Sequence, residues 1–281
     1  PEASQLMGEK PSPFGGWLIN ASKDLANKGG VELSIAFPSN KANKFKELKG
    51  EKINYYPFTP VKNTDTKVIA YNESFETLLK NLKPDIVHIY GTELAHTLSM
   101  VNVCKNLEVE TIISIQGLVS IYAQHIYANL PFRGVYGFTL RNLLRRDSVY
   151  LHKKTFELRG KNEIESLQKT NHIIGRTTWD KACSKQINPD AKYHFCNETL
   201  REEFYKHLWD INDCEKYSIF LSQGQYPIKG LHYMLEAMPI ILKKFPGAKV
   251  YISGKDITKS DSIKDKLLLT YYGKFIRKMI S

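Results

Sequence analysis

The sequence predicts an α/β protein built on doubly wound, Rossmann-like parallel sheets, in two domains that face a cleft. Three observations predict it. Apolar runs of strand length alternate along the chain with longer segments of helical period. Two of those runs, "DIVHIY" and "TIISIQ", are almost continuously apolar, as strands covered on both faces are. The 281 residues exceed one typical domain, and 42% hydrophobic with 11% aromatic residues can fill two cores.

In chain order, the first recognisable unit is a loop and helix, "PSPFGGWLINASKDLA". The pattern then places strands at residues 31–37, 53–58, 85–90, 111–115, 171–174, 192–196, 218–222 and 249–253. Helical periodicity covers residues 17–27, 74–82, 93–106, 150–169, 178–186, 231–244 and 262–279. In the helix at 231–244, Leu231, Met234, Leu235, Met238, Ile241 and Leu242 share one face. The stretch "REEFYKHLWDINDCEKY" is polar and interrupted, and it divides the chain into residues 1–208 and residues 209–281. No strand stands ahead of the first helix, and only two strands follow the boundary. A two-stranded sheet is a poor core, so the second domain is expected to be incomplete and the chain a fragment of a longer protein.

No apolar run approaches the ~18 residues of a membrane span, and no charged stretch followed by an apolar one marks a signal peptide. Cys104, Cys183, Cys196 and Cys214 are widely spaced with no C-x-x-C, which argues against a zinc or redox motif and reads as buried small side chains in a reducing compartment. We expect a cytoplasmic protein. The net charge is +11. Residues 215–281 carry twelve Lys or Arg against five Asp or Glu, so much of the excess lies near the C-terminus. Such a field favours acidic partners, although a solvated helix face gives the same count. In residues 262–279, Lys264, Lys266, Lys274, Arg277 and Lys278 surround Leu267, Leu268, Leu269, Phe275 and Ile276, the pattern of a helix lying peripherally at the inner face of a membrane. An ordinary amphipathic helix packed on its own sheet has the same pattern.

Five stretches carry chemistry. In "SQGQYPIKGLHYMLEA", Lys229 and Gly230 sit between a strand and a helix N-terminus, where free N–H groups and an ammonium favour a phosphate or diphosphate. The order is not that of a Walker A loop, which requires Gly, Lys and then Ser or Thr. The bland alternative is a turn glycine beside a solvated lysine. In "SPFGGW", Gly15 and Gly16 open a helix and let backbone approach a ligand, although paired glycines also serve ordinary turns. "HIYGTELAH" puts His88, Tyr90, Gly91, Thr92 and Glu93 at a strand end, where α/β proteins bind ligands. A histidine inside an apolar strand is also a common core residue. "SIQGLVSIYAQH" puts Gln116 and Gly117 at another strand end with His125 beyond. In "HIIGRTTWDKA", Arg176 leaves a strand just before a helix, either as an anion contact or as the salt-bridge partner of Asp180.

Taken together, the strand, turn and "PIKGLHYMLEA…KFPGAKVYISG", the Gly15–Gly16 loop, "DIVHIYGTE", "ISIQG", "IIGRTTWD" and "YHFCNETLREEFY" resemble family 4 retaining glycosyltransferases of the GT-B fold, in order and spacing, over nearly the whole chain. The resemblance implies an N-terminal acceptor-side domain at residues 1–208 and the start of a nucleotide-sugar-binding domain at 209–281. It implies that Lys229 holds the donor diphosphate with Gly230, and that Gly15 and Gly16 approach the donor phosphates. Two positions depart from the family pattern. Gln223 and Gly224 stand where Gly-Arg is common, which leaves Arg176 as the candidate second donor cation. Gln116 stands where a histidine is common; it cannot act as acid or base but can hydrogen-bond sugar hydroxyls. The family's paired glutamates fall beyond Ser281.

The implied reaction transfers a sugar from a nucleotide-diphosphate sugar to a glycan or lipid-linked acceptor, as in polysaccharide biosynthesis, with retention of configuration. Lys229 and Gln116 are the residues expected at the chemistry, and His88, Tyr90, Gly91, Thr92, Glu93, Gly117 and His125 are expected to line the acceptor or sugar cleft. No cofactor and no metal are expected, because no Asp-x-Asp stands ready to chelate an ion against the diphosphate. A nucleotide-sugar epimerase or a phosphorylase would use the same fold. Nucleic acid is not expected as a partner: the basic charge permits it, but no helix-turn-helix, zinc-finger or RRM signature accompanies it.

Overall fold

The computed structural model describes residues 1–11, 15–42, 46–61, 68–137 and 139–281, with the side chain of Lys264 set aside. Ser12, Pro13 and Phe14 of the loop ahead of Gly15 lie outside the described residues. In chain order the elements are α1 (Glu2–Leu6), α2 (Gly16–Ala26), β1 (Leu33–Pro38), β2 (Leu48–Lys49), β3 (Ile53–Phe58), α3 (Asn72–Leu82), β4 (Ile86–Tyr90), α4 (Ala95–Asn106), β5 (Glu110–Ser114), α5 (Val119–His125) and α6 (Phe132–Tyr136). They continue with α7 (Leu140–Arg145), α8 (Val149–Lys169), β6 (His172–Gly175), α9 (Thr178–Ile187), β7 (Lys192–Phe195), β8 (Ser218–Leu221), α10 (Leu231–Lys244), β9 (Lys249–Ile252), α11 (Ile263–Leu268) and α12 (Tyr271–Ile280).

The eight expected strands are all present, because short β-rich runs between turn residues leave the backbone few other ways to satisfy its polar groups. The short β2 and the small helices α1, α5, α6 and α7 carry too little periodicity to be read from sequence. The helix expected at 262–279 is two helices. Ser262 and Asp265 form a capping box that starts α11, and the Thr270 hydroxyl accepts from the Gly273 N–H to start α12.

The chain divides into two compact units. The first comprises Pro1–Leu118 and Lys161–Leu208. It holds one sheet in the order β1-β3-β2, with β1 and β3 parallel and β2 antiparallel, and another in the order β4-β5-β6-β7, parallel throughout. Phe58, Phe75, Leu79, Ala95 and Cys104 form its core, with Val87 and Ile89 of β4 packed against them. In the inner strand β5, Thr111 and Ile113 are buried and Ser114 with them. In the outer strand β4, Ile86 is 51% and Tyr90 42% exposed. "DIVHIY" therefore departs from the expectation of a strand covered on both faces; among the described residues it is an edge strand, paired with β5 alone.

The second unit comprises Val119–Gly160 and Trp209–Ser281. Its sheet is the parallel pair β8-β9. The core joins Leu130 and Val135 to Leu231, Tyr272 and Ile276, so helices from earlier in the chain complete a unit whose two strands alone could not bury one. The polarity pattern places residues 119–160 in the first domain instead. A linear pattern marks a linker at residue 209 and carries no record of a distant segment packing back.

The cysteines also depart from expectation. Cys104 is buried, but Cys196 and Cys214 are exposed, one just past the strand β7 and the other in the segment leading to β8; none is in a disulfide. Among the described residues, no helix is long and apolar enough to cross a membrane.

Candidate functional site

In the first unit, the candidate residues gather at the carboxyl ends of β4, β5 and β6. Gly91 extends the β4 ladder by donating its N–H to the Ser114 carbonyl, and its φ of 88° is backbone that glycine adopts without strain. The chain then turns at Thr92, which is fully buried. The Thr92 hydroxyl donates to Glu163 Oε2 at 2.7 Å, with the Gly117 carbonyl 3.4 Å away. The Thr92 N–H reaches Glu93 Oε2 at 3.2 Å, and Asn162 Nδ2 donates to the Glu93 carbonyl at 3.4 Å. These bonds lock the loops after β4 and β5 together and hang both on α8. Thr92, Glu93 and Gly117 therefore shape the site rather than present free groups into it.

His88 Nε2 lies 2.7 Å from Ser114 Oγ, and its ring stacks on Tyr90 at 4.2 Å. Desolvation lowers the His88 pKa. The shift, to about 4, leaves the imidazole neutral at pH 7. Tyr90 also faces Trp17, the second residue of α2, with ring centroids 5.5 Å apart. Burial raises the Tyr90 phenol, and the neighbouring Cys196 and Glu198 push the same way. Gln116 is exposed at the end of β5.

Arg176 behaves differently from either reading of the sequence. Its backbone N–H donates to Asp180 Oδ2 at 3.0 Å, while Thr177 and Asp180 form the capping box of α9. The guanidinium pairs with Glu198 Oε2 at 2.6 Å and donates to the Ile115 carbonyl at 3.3 Å. Asp180 is thus occupied by helix capping, and Arg176 has Glu198 as its charge partner. Glu198 Oε1 is buried with no hydrogen-bond partner among the described residues.

The loop after β7 also reaches α2. Thr199 Oγ1 donates to the Trp17 carbonyl at 2.8 Å, and Asn20 Nδ2 donates to the Leu200 carbonyl at 2.7 Å. Gly15 caps α2 with φ 70°, and Gly16 is buried against the Arg201 side chain, which a Cβ at Gly16 would overlap. Glu198 and Arg201 escaped the sequence reading because "NETLREEFY" shows only a polar loop, with no periodicity to say which side chains turn inward.

In the second unit, β8 leads through a turn to α10. Gly224 in that turn is buried, and a Cβ there would lie 2.9 Å from Ile252 Cγ2 and 3.0 Å from Leu231 Cδ2. A larger side chain there requires the ends of the Ile252 and Leu231 side chains to shift. Pro227 to Lys229 form a single 3-10 turn, and Gly230, φ 78°, is the N-cap of α10 with no side-chain cap. The first N–H groups of α10 therefore lack an intrahelical acceptor, and Lys229 is exposed beside them. His232, 2% exposed, holds this turn from behind: Nε2 donates to the Ala128 carbonyl at 2.8 Å and Nδ1 accepts from the Tyr272 hydroxyl at 3.2 Å. Tyr233 donates to the same Ala128 carbonyl at 2.9 Å. A histidine among apolar helix positions reads as an interruption, so His232 was invisible to periodicity.

The fold therefore brings Gly15, Gly16, His88, Tyr90, Gly91, Thr92, Glu93, Gln116, Gly117 and Arg176 into the first unit, and Lys229, Gly230 and the exposed His125 into the second.

No family model matches the chain, and no curated protein matches it. Solved structures give distant likenesses. A UGT transferase from Siraitia grosvenorii in complex with UDP is 12% identical over 91% of this chain and 65% of its own, with a TM-score of 0.44. UGT71G1 of Medicago truncatula complexed with UDP-glucose is 11% identical over 89% of this chain and 64% of its own, with a TM-score of 0.45. The chain thus spans less than two thirds of the length of either.

Proposed function

We propose that this chain belongs to a glycosyltransferase of GT-B-like organisation that uses a nucleotide-diphosphate sugar and retains the anomeric configuration. The observation that carries the reading is the start of α10: an uncapped helix N-terminus, reached from the parallel strand β8 through Gly230, with the exposed ammonium of Lys229 beside it. A diphosphate satisfies both the N–H donors and the cation. As the nucleoside diphosphate leaves, charge grows on the departing oxygen, so these groups stabilise the transition state more than the ground state.

In this reading Gly15 and Gly16 bring α2 backbone toward the donor phosphates. His88, Tyr90 and Gln116 line the sugar and acceptor side with neutral hydrogen-bonding groups. Arg176 acts through Glu198, setting the charge at the carboxyl end of β6. The donor is a substrate and the chemistry needs no cofactor; the acceptor is a glycan or a lipid-linked glycan, handled in the cytoplasm.

The test is incubation of the protein with a panel of labelled nucleotide sugars and glycan acceptors, followed by product analysis. A glycosylated acceptor with the donor's anomeric configuration is the expected product. An epimerised nucleotide sugar, a free sugar phosphate or an inverted glycoside would each replace the proposal.

A further inference from the structure

The surface of the second unit inverts the usual amphipathic order at two neighbouring helices. In α7, Leu140, Leu143 and Leu144 fall at i, i+3 and i+4 on one face, and that face points out: they are 53%, 69% and 75% exposed. The polar Asn142 is the residue buried on the opposite side, where it closes the Thr139 capping box and receives the Tyr271 N–H. In α11, Ile263 and Leu267 repeat the arrangement at 80% and 51% exposure. The two helices are joined by Arg141, whose Nη1 donates to the Leu268 carbonyl at 3.0 Å. Two helices packed together that both turn apolar side chains outward are more than scattered surface leucines.

The charge around it is predominantly positive. No Asp or Glu occurs between Glu110 and Asp147, a span that contains Arg133, Arg141, Arg145 and Arg146. Of the nearest carboxylates, Asp147 pairs with Arg141 at 2.9 Å, Asp261 lies 3.7 Å from Lys259, and Asp265 accepts the hydrogen bonds of the α11 capping box. Arg145, Arg146 and Lys266 are exposed, and among the described residues they form no ion pair.

By contrast, α12, the basic helix that the sequence marks for membrane contact, turns Tyr272 and Ile276 into the core at 3% and 0% exposure. Its apolar face is already used.

We propose that the α7–α11 face docks on an anionic phospholipid surface. The leucines and Ile263 enter the headgroup boundary, while Arg145, Arg146 and Lys266 remain at the level of the lipid phosphates. A protein partner would meet the same apolar area, but a rim whose exposed Arg145, Arg146 and Lys266 outnumber its unpaired carboxylates matches a uniformly anionic plane. The inference concerns docking alone and stands independently of the donor chemistry at α10.

The experiment is flotation of the 281-residue chain with phosphatidylcholine vesicles, with and without phosphatidylglycerol, and without any nucleotide sugar. The chain floats with phosphatidylglycerol vesicles at low salt, stays behind with pure phosphatidylcholine, and is released by raised salt. The Leu143→Ser, Leu144→Ser pair lowers partitioning at least about tenfold, through lost apolar burial. The Arg145→Glu, Lys266→Glu pair lowers it on the order of 10- to 100-fold. Both variants keep the parent's thermal melt, because every altered side chain is exposed. Lys243→Glu with Lys244→Glu, an equal change of charge at the far end of α10, floats like the parent.

Three results overturn the proposal. One is a parent chain that does not float with phosphatidylglycerol vesicles at low salt. Another is leucine variants that float unchanged, or a Lys243, Lys244 variant that loses as much as the Arg145, Lys266 variant. The third is a self-associated chain that becomes monomeric on Leu143→Ser, Leu144→Ser without ever binding vesicles, which would assign the face to protein contact.

Discussion

Removing the Lys229 ammonium is the sharpest test of the diphosphate assignment. Lys229 is exposed and forms no ion pair among the described residues, so Lys229→Ala deletes a charge and almost no packing. A unit charge ~4 Å from a phosphate contributes about 1 kcal/mol in bulk water and about 4 at an effective dielectric near 20. The exposure of Lys229 favours the lower half of that interval, so affinity for a nucleoside diphosphate should fall about 5- to 70-fold. Turnover should fall further, about 10²-fold, because the charge on the departing oxygen grows in the transition state.

Lys244→Ala supplies the control. It changes net charge equally, but α10 has 14 residues, which at ~1.5 Å per residue puts Lys244 about 20 Å away, beyond two Debye lengths at physiological salt. Lys229→Arg should recover only part of the loss, since a planar guanidinium does not reproduce a compact ammonium. Calorimetric titration with UDP, GDP and ADP, beside thermal melts, gives the comparison. A Lys229→Ala protein that binds the preferred nucleotide like the parent, with an unchanged melt, refutes the reasoning; so does equal weakening by Lys244→Ala.

Three further substitutions probe how the two units hold their sites. Gly224→Ala places a methyl 2.9 Å from Ile252 Cγ2 and 3.0 Å from Leu231 Cδ2, so urea unfolding should show a loss of about 1–3 kcal/mol, and an unshifted midpoint would mean the turn has room. His232→Leu strips the Tyr272 hydroxyl of its acceptor in a buried site, costing about 1–3 kcal/mol. Hydrogen exchange at the first amides of α10 should accelerate, and unaltered protection there would show that His232 does not hold the turn. Asp180 is desolvated, which alone would raise its pKa, but hydrogen bonds from Tyr193, Arg176 and Thr177 outweigh this and lower it. A depressed carboxyl contributes stability that is present above its unfolded pKa and lost as pH falls through the folded one. Asp180→Ala should therefore cost about 1–2 kcal/mol at pH 7, a difference from the parent that shrinks below about pH 4. A gap of the same size at pH 3 and pH 7 would contradict that linkage.

Much of the fold was legible because it is written locally. Period-2 and period-3.6 patterns located all eight expected strands, and "PIKG" between β8 and α10 marked a helix N-terminus with a lysine at its edge. The site was legible only where backbone made it. Gly91, Gly15 and Gly230 are in left-handed backbone that needs glycine, and each was singled out. The side chains that orient the site were not. Glu163 comes from the middle of the long helix α8 to meet Thr92, and Glu198 comes from the loop after β7 to meet Arg176. Neither position differs in sequence from an exposed polar residue, because a partner far along the chain, 71 residues away for Thr92 and Glu163, leaves no local trace.

The pair "DIVHIY" and "TIISIQ" shows where the division falls. By itself the sequence determined that both are strands and that both run parallel in an α/β sheet, since chain chemistry and period decide that within a few residues. Only the tertiary structure decided that the first is an outer strand with Ile86 half exposed and the second an inner one with Ile113 fully buried. The same holds for residues 119–160, which packed with the second unit, and for α7 and α11, whose leucines turned outward. Strand and helix follow from neighbours along the chain, whereas burial depends on which distant surfaces arrive to cover them, and that is set by the free energy of the whole packing.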